Sequence, residues 1–300
     1  MASTYSKTIL LTVVTPVALM AGRLQNLRSW LSNLGVLPIE VILVHDKQDL
    51  NTGNELASIT SALNDSRITN IEGTYGGPGL ARNVGLEVAR GKWICFWDSD
   101  DLPQIDEFYA MVQKADELGA ECVIGGFTAE HDVTHENKVH LLSADFLREI
   151  AMNPGIWRFA FDRTIIGKLR FSSLLMAEDQ IFLAELGIPS KKVEVYPRSV
   201  YRYFVGENFH LTRRKEALAD LPIAIDSTFN ILHKPYTENT DFVSMLVSRQ
   251  VLTVLKKCNN YSKVRAIKAY ASEMRHSPRK VKISLAKGTW RVLQTRESIL

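Results

Sequence analysis

The sequence predicts an α/β fold, in which a mostly parallel sheet is flanked by helices and followed by a helical, basic C-terminal region. Over the first 130 residues, short β-branched and aromatic runs alternate with segments whose apolar residues recur at helical spacing. From residue 254 onward there are 12 Lys or Arg and 2 Asp or Glu, whereas the first 253 residues carry 24 basic and 31 acidic residues. We therefore expect one domain over 1–215 and a distinct helical region over 216–300.

The elements follow from the apolar patterns in chain order. Strands are predicted over 9–15, 39–44, 68–71, 93–97 and 121–127, with an edge strand or hairpin over 191–203. Helices are predicted over 23–34, 56–63, 80–90, 106–119 and 178–186, and later over 242–256, 263–275 and 280–292.

The most informative stretch is the apolar run 93–97, which is followed by Asp98, Asp100 and Asp101, here called the acid cluster. An unbroken apolar run after Gly91 predicts a strand buried on both faces, and open α/β sheets bind ligands at the carboxyl ends of their strands. Asp98 and Asp100 are two residues apart, so in extended backbone they face the same way. Such oxygen ligands suit Mg²⁺ or Mn²⁺. The alternative is a solvated acidic loop or a helix N-cap at Asp101.

Two further segments could contact a nucleotide. Asp46 directly follows the second strand, where a carboxylate can accept a hydrogen bond from a ribose or a base. An ordinary turn aspartate is an equally good explanation. The glycine-rich segment 73–79 opens the helix 80–90 and could present backbone N–H groups to a phosphate, with Arg82 in the first helical turn. Turn geometry alone would also explain these glycines.

Carboxylates also begin the helix predicted over 178–186, where Glu178 and Asp179 complement the helix dipole. The functional alternative is a general base directed at a substrate. The basic loop 204–214 could close over a pyrophosphate. The histidine-rich stretch 131–140 matches no standard metal-ligand spacing and is expected to be a solvated loop or hairpin.

Composition is that of an ordinary globular protein, with 46% hydrophobic and 23% charged residues and a net charge of +3. Three widely spaced cysteines form no zinc motif and no disulfide framework, which favours a reducing, cytoplasmic location. The run 9–21 imitates a signal peptide, but Pro16 interrupts it and the same run makes a good first strand. No segment has the ~18–20 continuous apolar residues of a membrane span.

The basic C-terminal region has several possible partners. A solvated face is the usual explanation of a charge run, and dimerisation through the helices is another. The excess of Lys and Arg also favours peripheral contact with anionic lipid headgroups on the inner face of the cell membrane. Nucleic acid is a poorer candidate, because no recognisable binding module accompanies the charge.

Together these segments resemble the family 2 glycosyltransferases over roughly residues 8–212. The resemblance implies the GT-A fold and inverting, hexosyltransferase-type transfer from a nucleotide-diphosphate sugar, most often a UDP-sugar, to a hydroxyl of a glycan or lipid-linked acceptor in polysaccharide biosynthesis. It also implies dependence on Mn²⁺ or Mg²⁺. The segments that carry the resemblance are Val14–Val17, Asp46, Gly79–Gly85, Gly91–Asp101 with its DXD motif, and Glu178–Phe182.

The resemblance implies roles for the donor-binding residues by position. Thr15 and Pro16 would line the nucleotide pocket, and Asp46 would hydrogen-bond the base, most often uracil. Arg82 would lie near the nucleotide or its phosphates, and Ser99 would also contact the nucleotide.

The same resemblance assigns the metal and the chemistry. Asp98 would face the ribose and the metal, and Asp100 would coordinate the Mn²⁺ or Mg²⁺ that bridges the diphosphate. Asp179 would be the general base that deprotonates the acceptor hydroxyl. A single carboxylate base without a second nucleophile implies inversion at the anomeric carbon.

The sequence departs from the family pattern at two places. A Tyr-Arg pair often follows the last core strand, whereas here Tyr203 is followed by Phe204, with Arg213 or His210 as candidate replacements. The first loop reads Ala18-Leu-Met20 where a Tyr-Asn pair is frequent.

Two other functions are compatible with the sequence. A non-catalytic nucleotide-sugar-binding subunit would keep the donor site without needing Asp179. An aspartyl phosphatase would use Asp98 and Asp100 as nucleophile and acid. Those enzymes favour Thr or Val at the position of Leu102 and usually carry the motif near the N-terminus.

Overall fold

The structure is a computed structural model that describes residues 9–131, 136–205, 215–234 and 240–294. The chain forms two compact units that alternate along the sequence, here called the sheet unit and the helical unit. The sheet unit comprises Met1–Leu141, Ile156–Lys168 and Lys192–Val205, and the helical unit comprises Leu142–Gly155, Leu169–Lys191 and Gly206–Leu300. Both units thus draw on the stretch expected to form the first domain, and the division expected after residue 215 stays a prediction.

The sheet unit contains a mixed sheet of nine strands within the described residues. The strands are β1 Leu11–Val17, β2 Ile39–Asp46, β3 Ile68–Gly73, β4 Trp93–Phe96, β5 Leu102–Pro103, β6 Cys122–His131, β7 Asn137–His140, β8 Phe159–Asp162 and β9 Val193–Val205. Their order is β3-β2-β1-β4-β8-β6-β9-β5, with β7 paired to β6. The predicted α/β fold is confirmed, with parallel pairing throughout β3, β2, β1 and β4 and mixed pairing in the other half.

Every predicted helix is present, with ends that differ from the prediction by up to six residues, and two short helices between residues 146 and 166 were not predicted. The helices are α1 Gln25–Ser32, α2 Leu50–Leu63, α3 Pro78–Val88, α4 Ile105–Glu117, α5 Phe146–Met152, α6 Arg163–Ile166, α7 Glu178–Leu186, α8 Lys215–Ala219, α9 Leu221–Leu232, α10 Thr240–Lys257, α11 Asn260–His276 and α12 Arg279–Leu293. The three basic helices of the C-terminal region are therefore confirmed. No helix in the described parts of the chain is both long and apolar enough to cross a membrane.

Two of the longer strands contain a proline. β1 continues through Pro16, which has no N–H to donate; the pairing of β1 with β4 ends at Val14, while Pro16 still lies opposite Val44 of β2. The segment expected to be an edge strand is β9, which pairs with β6 on one side and, on the other, with the two-residue strand β5 only at Tyr201 and Arg202. The register of β9 on β6 shifts between Val195 and Ser199, so Pro197 lies at an irregularity that needs no ladder hydrogen bond.

The histidine-rich stretch forms the predicted hairpin in part, since β7 pairs antiparallel with β6. Residues 132–135 between these strands, and residues 206–214 of the predicted basic loop with His210 and Arg213, lie outside the described residues.

A buried polar network fixes the start of β4 against β1. The Gly91 N–H donates to the hydroxyl of Thr12 at 2.8 Å, and that hydroxyl donates to the buried carboxylate of Glu40 at 2.7 Å. The Arg90 N–H donates to the same carboxylate at 2.8 Å. A Cβ added at Gly91 would lie 2.6 Å from the backbone N of Thr12, so the close approach requires glycine. This network holds the residues just before β4 against β1 and β2.

Candidate functional site

The carboxyl ends of β1, β2 and β4 meet at one edge of the sheet. β1 pairs with β2 as far as Val17 and with β4 as far as Val14. Thr15 and Pro16 in β1 and Asp46 at the end of β2 therefore share this edge with the acid cluster that follows β4. The structure thus brings together the strand ends on which the sequence placed the donor site.

Arg82 pairs directly with the acid cluster. Its guanidinium Nη2 lies 2.9 Å from Oδ1 of Asp98, and the residue is only 4% exposed. Gly85 lets α3 approach β1 this closely, since an added Cβ would lie 2.3 Å from Cγ1 of Val14. Arg82 is in the second helical turn, one turn later than predicted, because α3 already begins at Pro78.

Asp101 is buried and ties the acid cluster to the end of β9. Its carboxylate accepts a hydrogen bond from the Phe204 N–H at 2.9 Å, while the Asp98 N–H donates to the Tyr201 hydroxyl at 3.0 Å. Burial raises the pKa of Asp101 well above its usual value, the charges of Asp100 and Asp98 raise it further, and hydrogen bonds from Phe204 and Tyr201 oppose them. The alternative of Asp101 as a helix N-cap is wrong, because α4 begins after Gln104.

Tyr201 remains a hydroxyl donor in this arrangement. Its burial, followed by the charges of Asp101 and Asp98, raises the pKa of the phenol well above its usual value. A protonated phenol can accept from a backbone N–H and donate to a carboxylate at the same time. Tyr201 therefore links the two ends of the acid cluster.

The remaining residues of this segment are positioned by backbone contacts. The Asn26 side chain on α1 donates to the carbonyl oxygen of Asp100 at 2.7 Å, and Ser99 is buried. The carboxylate of Asp46 accepts a hydrogen bond from the N–H of Gln48 in its own loop at 3.1 Å and a weak one from the N–H of Tyr75 at 3.5 Å. The carboxylate of Asp46 thus lies beside the glycine-rich segment.

Thr15 is fully buried, and its hydroxyl has no hydrogen-bond partner in the parts of the chain that the structure describes. Pro16 beside it is half-buried. Thr15 thus has an enclosed hydroxyl without a partner in the described part of the chain, and its place in the pocket wall stays a prediction.

The predicted base Asp179 belongs to the helical unit, in the first turn of α7. Its Oδ1 accepts from the Gln180 N–H at 2.8 Å. The buried amides of Gln180 and Gln250 are joined at 3.2 Å, which fixes α7 against α10 and brings Asp179 near Arg249. Burial lowers the pKa of Arg249, and the negative charge of Asp179 acts in the opposite direction.

The resemblance implies a divalent metal ion, which would need ligands from the acid cluster. No group of three or more His, Cys, Asp or Glu side chains is arranged for metal binding within the described residues. Asp98 and Asp100 offer two hard oxygen ligands, and Mg²⁺ sites commonly combine one or two carboxylates with substrate phosphates and water. The residues therefore fit an ion that takes most of its ligands from a diphosphate.

Sequence reasoning missed three positioning residues, namely Asn26, Tyr201 and Arg249. Asn26 and Tyr201 contact the acid cluster in the sheet unit, and Arg249 lies near Asp179 in the helical unit. Each comes from an element remote in sequence, and no local pattern marks it. Of the three, Tyr201 had the nearest signal in the sequence, because it lies two residues before the Tyr203-Phe204 pair at which the family pattern is interrupted.

Comparison with known proteins identifies the kind of domain. The family model described as glycosyl transferase family 2 matches residues 20–176. The succinoglycan biosynthesis protein ExoO of Rhizobium meliloti is 27% identical over 210 residues, covering 64% of this chain and 59% of that protein. The glycosyltransferase GlyG of Streptococcus pneumoniae is 25% identical over 195 residues, covering 59% of this chain and 62% of that protein. The chain thus matches about three fifths of the length of these relatives.

Solved structures share the fold. The crystal structure of S. aureus TarS 1-349 in complex with UDP-GlcNAc has a TM-score of 0.71 and 15% identity, and the match covers 95% of this chain and 88% of that one. The mannosyltransferase PcManGT from Pyrobaculum calidifontis, in complex with GDP-Man and Mn²⁺, has a TM-score of 0.56 and 13% identity, with 96% and 88% covered. These matches confirm the predicted GT-A fold.

We predict that Tyr201→Phe destabilises the protein by about 1–3 kcal/mol, because buried Asp101 loses a donor and the Asp98 N–H loses its acceptor. Urea unfolding at pH 7 measures the change. Tyr109→Phe is the matched control, since Tyr109 is also buried but its hydroxyl makes no hydrogen bond within the described residues. Equal losses in the two variants would contradict the proposed link.

Proposed function

The chain belongs to glycosyl transferase family 2, and from this premise we propose that it is an inverting glycosyltransferase that uses a nucleotide-diphosphate sugar, preferably a UDP-sugar. The acceptor is a hydroxyl of a glycan or of a lipid-linked intermediate in polysaccharide synthesis. The observation that carries the proposal is the Arg82–Asp98 ion pair at the shared edge of β1, β2 and β4. It joins a phosphate-binding cation to the acid cluster at the sheet edge where α/β proteins bind ligands.

Donor binding follows from the side chains at this edge. We propose that Asp46 hydrogen-bonds the nucleobase, that Thr15 and Pro16 line the pocket, and that Ser99 makes a further contact with the nucleotide. Arg82 has a planar guanidinium suited to phosphate oxygens and is directed at the acid cluster by its pair with Asp98. The relatives of known structure that bind UDP-GlcNAc, or GDP-Man with Mn²⁺, support a nucleotide-sugar donor.

Asp98 and Asp100 would hold Mn²⁺ or Mg²⁺. When bound, the ion would offset the negative charge that develops on the departing diphosphate. Asn26 fixes the backbone of this segment at Asp100, and Asp101 fixes its other end at Phe204. Both contacts reduce the reorganisation needed when a charged donor binds.

Asp179 is proposed as the general base. Its carboxylate would take the proton of the acceptor hydroxyl as the oxygen forms a bond to the anomeric carbon and the bond to the diphosphate oxygen breaks. The Gln180 N–H orients the carboxylate, and the Arg249 cation favours its ionised form. Attack opposite to the leaving diphosphate inverts the anomeric configuration.

The protein is proposed to act in the cytoplasm. We also propose that the basic C-terminal region contacts an anionic membrane surface, where a lipid-linked acceptor would be concentrated. Nucleic acid is not among the proposed partners.

The decisive experiment measures release of nucleoside diphosphate from a panel of UDP- and GDP-sugars with Mn²⁺. Asp179→Asn should lower kcat at least about 100-fold while UDP still binds, because general-base catalysis contributes roughly 10²–10⁴ in rate. Asp226→Asn, on the surface of the same unit, is the control and should leave kcat unchanged. Binding without turnover in the unmodified protein would favour the non-catalytic subunit, and neither binding nor turnover would exclude both functions.

Metal dependence has its own prediction. Asp100→Asn should weaken UDP binding at least about tenfold in the presence of Mn²⁺ and leave the metal-free affinity nearly unchanged, because only the carboxylate's contribution to the ion is lost. Isothermal titration with and without Mn²⁺ measures both affinities. Asp106→Asn, in the first turn of α4, serves as the nearby acidic control. Equal weakening with and without Mn²⁺ would contradict a metal-ligand role.

Arg249 predicts a change in pH dependence. A cation near Asp179 favours the ionised carboxylate, so replacing Arg249 with Gln should move the acidic limb of the kcat/KM profile to higher pH. Arg249→Lys keeps the charge and should restore much of the original profile. A parallel loss of activity at every pH in both variants would indicate a packing role only.

A further inference from the structure

The exposed side of α12 is apolar along its length. Trp290 is 63% exposed, Leu293 59% and Ile283 44%. Ile283 and Trp290 are seven residues apart and therefore lie on one face of the helix, and Leu293 continues that face one turn later. The opposite side is packed on α10, where an added Cβ at Gly288 would lie 2.9 Å from the backbone of Ser244.

A basic line borders this apolar line. α12 contains five Lys or Arg and no Asp or Glu in its 15 residues. Lys280, Lys287 and Arg291 are exposed and follow one another at helical intervals of seven and four residues, alongside the apolar line. An apolar strip with a basic border is the pattern of helices that lie in the membrane interface.

The neighbouring helix α11 also has exposed apolar and basic residues. On α11, Tyr261 is 77% exposed, and Val264 and Ile267 are also exposed. Lys268 lies on this outer side as well. Glu273 is the single acid of α11, lies near the C-terminal end of that helix, and is contacted by His233 at 2.8 Å and by the Ser277 hydroxyl.

We propose that the outer face of α12, formed by Ile283, Trp290 and Leu293 and bordered by Lys280, Lys287 and Arg291, docks in the interface of an anionic lipid bilayer. The apolar side chains enter the headgroup region, while the basic line contacts lipid phosphates. This inference deepens, and rests on, the membrane contact included in the proposed function. It assigns that contact to one helix face.

A second copy of this chain is the competing occupant of the face. A two-fold contact through α12 would bring the same basic lines together and would have to overcome the repulsion of like charges. An anionic bilayer instead attracts each of these charges. Charge complementarity therefore favours lipid.

Trp290 offers a direct measurement. The other four tryptophans, Trp30, Trp93, Trp97 and Trp157, are at most 8% exposed, so changes in fluorescence on binding report on Trp290. With vesicles of equal phosphatidylglycerol and phosphatidylcholine, we expect a blue shift, protection from iodide, and quenching by brominated acyl chains. Pure phosphatidylcholine vesicles should give little of each.

Matched variants separate the apolar and basic contributions in vesicle co-sedimentation. Trp290→Ser should weaken partitioning about tenfold, and the triple variant Lys280→Gln, Lys287→Gln, Arg291→Gln about 100-fold at low salt. Leu118→Ser is an exposed apolar control in the sheet unit. The triple variant Lys114→Gln, Lys138→Gln, Arg198→Gln removes the same charge from the sheet unit, and neither control should weaken partitioning more than about twofold.

Three results would overturn the docking face. They are no binding to anionic vesicles, binding that the α12 variants leave unchanged, and a concentration-dependent dimer in light scattering that Trp290→Ser abolishes while vesicle binding persists. Far-UV circular dichroism and urea unfolding should be unchanged in all four variants, which confirms that they fold. Vesicle binding needs no turnover, so failure of the docking face and failure of the proposed enzyme are read separately.

Discussion

The confinement of three carboxylates within four residues after β4 is the constraint on which the rest of the site depends. Like charges so close together repel, and each end of the cluster is stabilised by a different partner. Asp98 faces the Arg82 cation, whereas Asp101 is buried against the Phe204 N–H and the Tyr201 hydroxyl. Asp100 is fixed through its carbonyl by Asn26. In the proposed function its carboxylate, together with that of Asp98, would hold an external cation.

The sequence predicted the part of the fold that local patterns encode. The order of strands and helices through α4 follows from apolar periodicity, and the parallel half of the sheet follows from their alternation. The break in the register of β9 on β6, which accommodates Pro197, was not predicted, because it is a property of two strands about 70 residues apart along the chain. Pairing register of that kind is set by tertiary contacts and leaves no signal in the strand itself.

The same distinction applies to the candidate site. Asp46, Arg82 and the acid cluster could be found because each follows or faces a recognisable strand end. Tyr201 and Arg249 could not, since their importance comes from the groups they meet in space. No sequence pattern marks either residue in its own segment, and their effects on Asp98, Asp101 and Asp179 appear only once the chain is folded.

Acidic and basic residues are unevenly distributed along the chain. The chain up to residue 253 carries the acidic excess, and its acid cluster would bind the donor's diphosphate through a cation, whereas α12 carries five Lys or Arg and no acidic residue. If α12 docks on anionic lipid, the membrane attracts this helix while it repels the acidic remainder of the chain. This uneven distribution of charge would then orient the protein on the membrane, and the apolar residues Ile283, Trp290 and Leu293 would add to the affinity.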